Sequence, residues 1–294
     1  MPAPRTLAEL EADVARDLEM IAHPRAPWLQ PKTSGGRPML DVLIIGAGQC
    51  GVVAGFALLR DKVTNILCID RANEGREGPW LTYARMPNLR SWKDQSGPDL
   101  GVPSLTYQAW HEASFGTASW EALRLIPKEL WNDYLLWLRR VTRVPVRNGV
   151  EAGAISPCRT DDGLSCLRVE TSDGAMHARK VVLATGQEDA GRWWMPDCVA
   201  ALPAHLRAHA SERIDFGRLR GKVVAVLGAG ASAFDNAATA LEAGAEVHLF
   251  CRRAEPQLVQ PYRWLTFAGF LRHLHEVPDE WRWRFMSHVM GLRE

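Results

Sequence analysis

No CxxC pair occurs among the six cysteines of this chain (Cys50, Cys68, Cys158, Cys166, Cys198 and Cys251), and none stands at metal-ligand spacing. That excludes a thioredoxin-type redox motif and a zinc ribbon, suits a reducing compartment, and leaves most of the thiols expected as small core residues. An excess of either charge is lacking as well. Lys plus Arg number 35 against 34 Asp plus Glu, so neither the basic footprint of a nucleic-acid binder nor an acidic tail is present. The opening "MPAPRTLAELEADVARDLEM" is charged throughout and lacks the apolar core of a secretion signal, and no stretch is read as a membrane span. Histidines come in pairs without a third ligand, His205 with His209 and "HLH" at 273–275, so no metal is expected. What remains is a cytoplasmic globular protein whose 47% hydrophobic residues suffice for packed cores.

Thr6 with Glu9 three places on forms a capping box, and Leu7, Leu10, Val14, Leu18 and Ile21 follow at helical spacing. A short amphipathic helix is predicted there. Residues 23–38, "HPRAPWLQPKTSGGRP", read as an arm leading into the first domain. From Asp41 the pattern becomes strand, glycine turn, helix and strand, through "DVLIIGAGQCG", "VVAGFALLRD" and "TNILCID", which is a βαβ unit. Residues 72–126, rich in Gly, Pro and Trp, read as an irregular excursion from that sheet. Helical periodicity returns in "PKELWNDYLLWLRRV", and residues 150–183 hold short strands about a turn at Ser172–Gly174, ending in a buried strand, "KVVLATG". A second strand–turn–helix–strand unit starts at Gly221. The predicted fold is α/β with two Rossmann-like dinucleotide-binding domains, over 41–215 and 216–294, preceded by a helix and arm over 1–40.

The two glycine turns are alike in position and opposite in charge. The first carries Gly46, Gly48 and Gly51; the second carries Gly228, Gly230 and, in the third place, Ala233. In such a fingerprint the first glycine allows the tight turn, the second lets a pyrophosphate approach the backbone, and the third permits close helix packing. The helix N-terminus adds oriented N–H groups and a positive dipole end. At the end of the following strand an acid accepts hydrogen bonds from ribose hydroxyls, whereas a basic residue pairs with a 2′-phosphate. Asp70 stands 24 residues after Gly46, and Arg252 stands 24 after Gly228. The first site therefore suits FAD or NAD and the second, with Arg252 and Arg253, suits NADPH. The plainer reading of Arg252 and Arg253 as solvated surface charges goes with NADH use.

On these residues the sequence resembles the two-dinucleotide-domain flavoproteins, in particular the single-component, NAD(P)H-dependent flavin monooxygenases. The matching stretches are "GAGQCG", "GPW" at 78–80, "LATG" at 183–186 and "GAGASAFD". The resemblance implies that Trp80, Thr185 and Gly186 contact FAD, that Ser232 joins the NADPH turn, and that bound flavin reacts with oxygen to a hydroperoxide that oxygenates a small substrate. "MPNLRSWKDQSGPDLG" followed by "IPKELWNDYLLWLRR" resembles the FAD-dependent urate hydroxylases and nitrosuccinate-forming aspartate oxidases, and more distantly the amine N-hydroxylases. By that likeness Lys93 lies near the flavin or substrate and Trp92 packs beside the isoalloxazine. The alternative is a solvated lysine and a core tryptophan. Baeyer–Villiger chemistry is disfavoured, because Arg213 stands where that subgroup pairs a Trp with its histidine, here His209. Members of the family usually continue beyond the second fingerprint, so an incomplete second domain is expected.

The function expected is FAD-dependent hydroxylation of a small polar molecule with NAD(P)H and O2, urate-like or amine-like. Two alternatives stand beside it: an NAD(P)H-dependent flavin reductase, for which a disulfide substrate would require the missing CxxC, and an inactive nucleotide-binding fragment.

Overall fold

A computed structural model of the chain describes residues 5–95, 97–186, 191, 193–252 and 273–288. Helix α1 (Leu7–Met20) starts as its sequence dictates. The Thr6 hydroxyl accepts from the Glu9 N–H at 3.3 Å, and the Glu9 carboxylate accepts from the Thr6 N–H at 2.8 Å, satisfying two orphan donors reciprocally. Leu10 and Val14 are buried. On the next face Glu11 takes two hydrogen bonds from the Arg140 guanidinium, at 2.6 and 3.0 Å. That contact holds its carboxyl below the usual range.

The arm is ordered as a small hairpin of β1 (Thr33–Ser34) and β2 (Arg37–Pro38). Gly35 and Gly36 turn it with φ of 60° and 72°, as a two-residue hairpin loop requires. Their N–H groups donate to the Asp161 carboxylate at 2.7 and 3.1 Å, which docks the arm on the main sheet.

That sheet has six strands: β3 (Leu40–Ile45), β4 (Ile66–Asp70), β5 (Val146–Asn148), β6 (Ala152–Arg159), β7 (Ser165–Thr171) and β8 (Met176–Leu183). Their order is β5-β4-β3-β8-β7-β6. The first four run parallel, and β7 and β6 add an antiparallel meander. Alternation splits β3 between two cores. Val42 and Ile44 join a cluster with Phe56, Tyr134 and Leu138, whereas Leu43 and Ile45 meet Ile69, Val169 and Ala178. The uncharged run 42–59 is divided by the Gly46 turn into a strand and the twelve-residue helix α2 (Gln49–Arg60). Among the described residues no helix is long and apolar enough to cross a membrane.

The excursion is more regular than its composition suggests. It holds α3 (Tyr107–Phe115), capped by the Thr106 hydroxyl, which accepts from the Ala109 N–H, and α4 (Thr117–Ala122). Tyr107, Trp110 and His111 recur at helical spacing and are buried. They pack with Trp120 and with Trp131, Tyr134 and Trp137 of α5 (Lys128–Thr142). Ring burial on this scale outweighs the turn-forming Gly and Pro around it.

Three further expectations are corrected. Only Cys68 and Cys166 are buried; Cys50, Cys198 and Cys251 are exposed and Cys158 is half-buried. β8 is not buried throughout, since Leu183 is exposed. His205 lies in a single 3₁₀ turn (Ala204–Leu206) and His209 beyond it, so the two share no helical face. His209 instead packs against Trp193 with the rings tilted and their centroids 4.7 Å apart, and no metal-binding cluster occurs among the described residues.

After α6 (Asp197–Ala200), a separate parallel pair forms from β9 (Val223–Leu227) and β10 (Glu246–Phe250), joined by α7 (Ala231–Glu242). A last helix spans Asp279–His288.

Candidate dinucleotide sites

At the first turn backbone meets backbone. Gly46 adopts φ 104° and donates its N–H to the Ile69 carbonyl at 2.8 Å. A Cβ there would lie 2.3 Å from the Ala184 carbonyl oxygen, and one on Gly51 would lie 1.9 Å from the Gly46 oxygen. Both positions therefore exclude any side chain. Gly48 caps α2 with no side-chain hydrogen bond, so it leaves the first-turn N–H groups of that helix available to a ligand. A Cβ on Gly48 would lie 3.8 Å from the backbone of Gly78, an ordinary contact. Ala184 donates to the Ile45 carbonyl at 2.8 Å. The segment containing Thr185 and Gly186, the latter at φ 86°, is thus held against the same turn.

Asp70 ends β4 and braces the loop. One carboxylate oxygen accepts from the Ala47 N–H at 2.8 Å and the other from the Ala72 N–H at 2.8 Å. Each oxygen keeps a lone pair for a further donor. Glu77, Asn132 and Arg139, which the pattern did not single out, line a small crevice with Ala47, Gly48 and Gln49 of the turn, and Asn148 stands behind it, bonded to Glu77. The buried Glu77 accepts from Arg139 at 2.9 Å and from Asn148 at 2.6 Å. The pair is neutral, so the wall adds little net charge to the site. Trp131 donates to the Gln49 side chain at 3.2 Å and meets Trp80 edge-on at 6.3 Å. Glycines 48, 46 and 51 were legible as a motif; Glu77 and Arg139, 62 residues apart, meet only through the fold.

The second turn is roomier. Gly228 has φ 141° and donates to the Phe250 carbonyl at 2.9 Å. A Cβ there would meet the Ala233 Cβ at 3.2 Å, and one on Gly230 would meet nothing within 4 Å. Alanine fits the third place because α7 needs no closer approach. Ser232 is exposed on the first turn of α7, and its carbonyl accepts from Asn236 at 2.8 Å. Arg252 is exposed just past β10; Arg253 lies outside the described residues. Asp235 on α7 pairs with Arg90 of the excursion at 2.5 Å.

The excursion also places the two proposed chemistry-bearing residues. The Lys93 ammonium donates to the Trp120 carbonyl at 2.5 Å and lies 4.3 Å from the centre of the Trp120 ring. It thereby caps α4. Trp92 is 44% exposed, which rules out the core alternative. His111, buried nearby, is held below its ordinary pKa by burial and then by the Lys93 charge.

A parallel sheet with a crowded glycine turn, and a second strand pair with an open one, define an α/β protein built for two dinucleotides. The chain belongs to the pyridine nucleotide-disulphide oxidoreductase family, whose model matches residues 43–268. It is similar to an FAD-dependent urate hydroxylase from Xanthomonas campestris pv. campestris, with 44% identity over 292 residues. That match covers 98% of this chain and 61% of the relative. Among solved structures, reduced ornithine hydroxylase from Pseudomonas aeruginosa superposes with a TM-score of 0.67 at 18% identity, covering 84% of this chain and 63% of that one. Bacillithiol disulfide reductase from Staphylococcus aureus gives 0.58 at 18% identity, covering 80% and 64%. Likenesses at this identity establish the shared fold.

Proposed function

We propose that this chain provides the cofactor-binding part of an FAD-dependent monooxygenase that uses NAD(P)H and O2 to hydroxylate a small polar substrate of the urate kind. The observation that carries this is the 44% identity to an FAD-dependent urate hydroxylase, sustained over 98% of the chain. The first turn fits FAD: a glycine cradle, a helix start with no side-chain cap at α2 and an acid at the end of β4.

In this reading Gly46, Gly48 and Gly51 admit the pyrophosphate and Asp70 accepts from the ribose hydroxyls. Trp80, Thr185 and Gly186 border the cofactor. Gly228, Gly230, Ser232 and Ala233 receive NADPH, with Arg252 and Arg253 at its 2′-phosphate. Trp92 packs beside the isoalloxazine, and Lys93, held on the Trp120 carbonyl, lies near the flavin or substrate. FAD, when bound, supplies the electron transfer and the oxygen chemistry, so the protein needs no acid–base triad. A second reading, amine N-hydroxylation, is favoured by the fold shared with ornithine hydroxylase.

The test is an anaerobic titration of the purified chain with FAD and then NADPH, followed by oxygen uptake with urate and with ornithine. Flavin bound stoichiometrically, bleached by NADPH and coupled to urate-dependent oxygen consumption is the expected result. Ornithine-dependent consumption selects the second reading, and oxidation of NADPH indifferent to both overturns hydroxylation of either substrate.

A further inference from the structure

The sequence contains no CxxC, yet the fold brings two thiols face to face. Cys158 on β6 and Cys166 on β7 are direct antiparallel partners. Two residues along the hairpin Thr160 donates to the Leu164 carbonyl at 2.9 Å, so Cys158 and Cys166 fall at the hydrogen-bonded spacing. There the Cα atoms of opposed residues lie about 5.5 Å apart and both side chains leave the same face. Disulfides span Cα separations of about 4.4–6.8 Å, so the bond is within reach of this register, with the two Cβ atoms drawn together by a local adjustment of the hairpin.

We propose that Cys158 and Cys166 are a redox-modification site, forming a reversible cross-strand disulfide when hydrogen peroxide reaches the outer hairpin of the sheet. Burial separates the partners' roles. Cys158 is half-buried on the outermost strand, whereas Cys166 is only 3% exposed. Peroxide therefore meets Cys158 first and oxidises its thiol to a sulfenic acid, releasing one water. The Cys166 sulfur then attacks the sulfenic sulfur, the S–S bond forms, and the hydroxyl leaves with the Cys166 proton as a second water. Two electrons pass from the two thiols to one peroxide. A neighbouring thiol that resolves the sulfenic acid protects Cys158 from irreversible oxidation.

The surroundings suit a slow, specific site rather than a hyper-reactive thiol. Burial and the adjacent Cys166 raise the Cys158 thiol, with Ser34 and the Arg168 charge opposing them. The Ser34 hydroxyl, itself buried, lies 4.0 Å from the Cys166 sulfur and donates to the Arg159 carbonyl at 2.8 Å. The bond would thus form beneath the docked arm, stapling the edge of the sheet where, among the described residues, β6 has no further strand. In a reducing compartment such a disulfide is transient and reports oxidant. The proposal holds whichever substrate the enzyme takes.

The folded chain is treated with excess hydrogen peroxide, its remaining thiols are alkylated, and its peptides are mapped before and after dithiothreitol. Expected is a peptide pair linked through Cys158 and Cys166, two thiols lost together and both recovered on reduction. Cys158→Ser should abolish the link and leave Cys166 unoxidised. Recovery of Cys158 as sulfinic acid with Cys166 still free overturns the proposal, as does a link from either residue to Cys50, Cys198 or Cys251. The wild-type map decides the question even if the variant fails to fold.

Discussion

A single added carbon separates the two glycine turns. Gly51→Ala places a Cβ 1.9 Å from a backbone oxygen, and backbone cannot swing aside as a side chain can. The variant should lose at least about 1–3 kcal/mol of stability, the usual penalty of overpacking, with most of its FAD; a chemical denaturation curve and the flavin content check it. Gly230→Ala meets nothing within 4 Å and should change unfolding by less than about 1 kcal/mol. It should still weaken NADPH, because its methyl occupies the approach a pyrophosphate needs. Arg252 is tested by cofactor preference. Arg252→Ala should raise the KM for NADPH by roughly 10- to 100-fold and leave NADH nearly unchanged, the loss of one charge-assisted contact to phosphate. Equal losses with both would return Arg252 to the solvated surface. These residues were visible as a pattern because glycine and charge at fixed offsets from a strand have few other uses.

Elements show where pattern stops and packing begins. Helix α5 was legible because Trp131, Tyr134, Leu135 and Leu138 repeat on one face, and all four are buried. Its end was not. Arg143 closes it in the left-handed region at φ 57°, ψ 31°, a place glycine usually takes. Arg143→Gly should therefore raise stability by about 0.5–1 kcal/mol, read as an increased thermal midpoint; a decrease would mean that its aliphatic stem contributes packing that outweighs the strain. Helices α3 and α4 were obscured by the glycines and prolines around them, although the Thr106 cap and the Tyr107, Trp110, His111 spacing were present to be read. The cysteines misled for a related reason. Spacing along the chain diagnoses a redox pair within one turn, but a hairpin opposes residues eight apart as readily.

At the scale of the whole molecule, the excursion reaches from the first glycine turn toward the second. Arg90 pairs with Asp235 on α7, and Arg85 donates to the Glu212 carbonyl at 2.8 Å and covers the Phe216 ring at 5.2 Å. Arg90 is exposed and Asp235 half-buried, and with one partner in solvent the pair contributes only about 0.2–1 kcal/mol of stability. Its effect should fall instead on how the second turn is aimed at the first. Asp235→Asn is expected to leave the thermal midpoint within about 2 °C while slowing anaerobic flavin reduction by NADPH several-fold. Exchange of the charges in Arg90→Asp/Asp235→Arg should restore the rate. An unchanged rate in the single variant would reduce the pair to a surface contact.

Sequence by itself determined the two strand–turn–helix–strand units, the opposite charges closing them, and the capped helix at the start, because each is a local rule expressed within some thirty residues. The tertiary structure decided what distant segments do to one another. It set the Ala184 carbonyl against Gly46, the Glu77–Arg139 pair behind the crevice, Lys93 on the end of α4, and two cysteines opposite each other. Contacts of that kind depend on strand order, register and helix packing, which arise from burying apolar surface over the whole chain and leave no fixed spacing in the sequence.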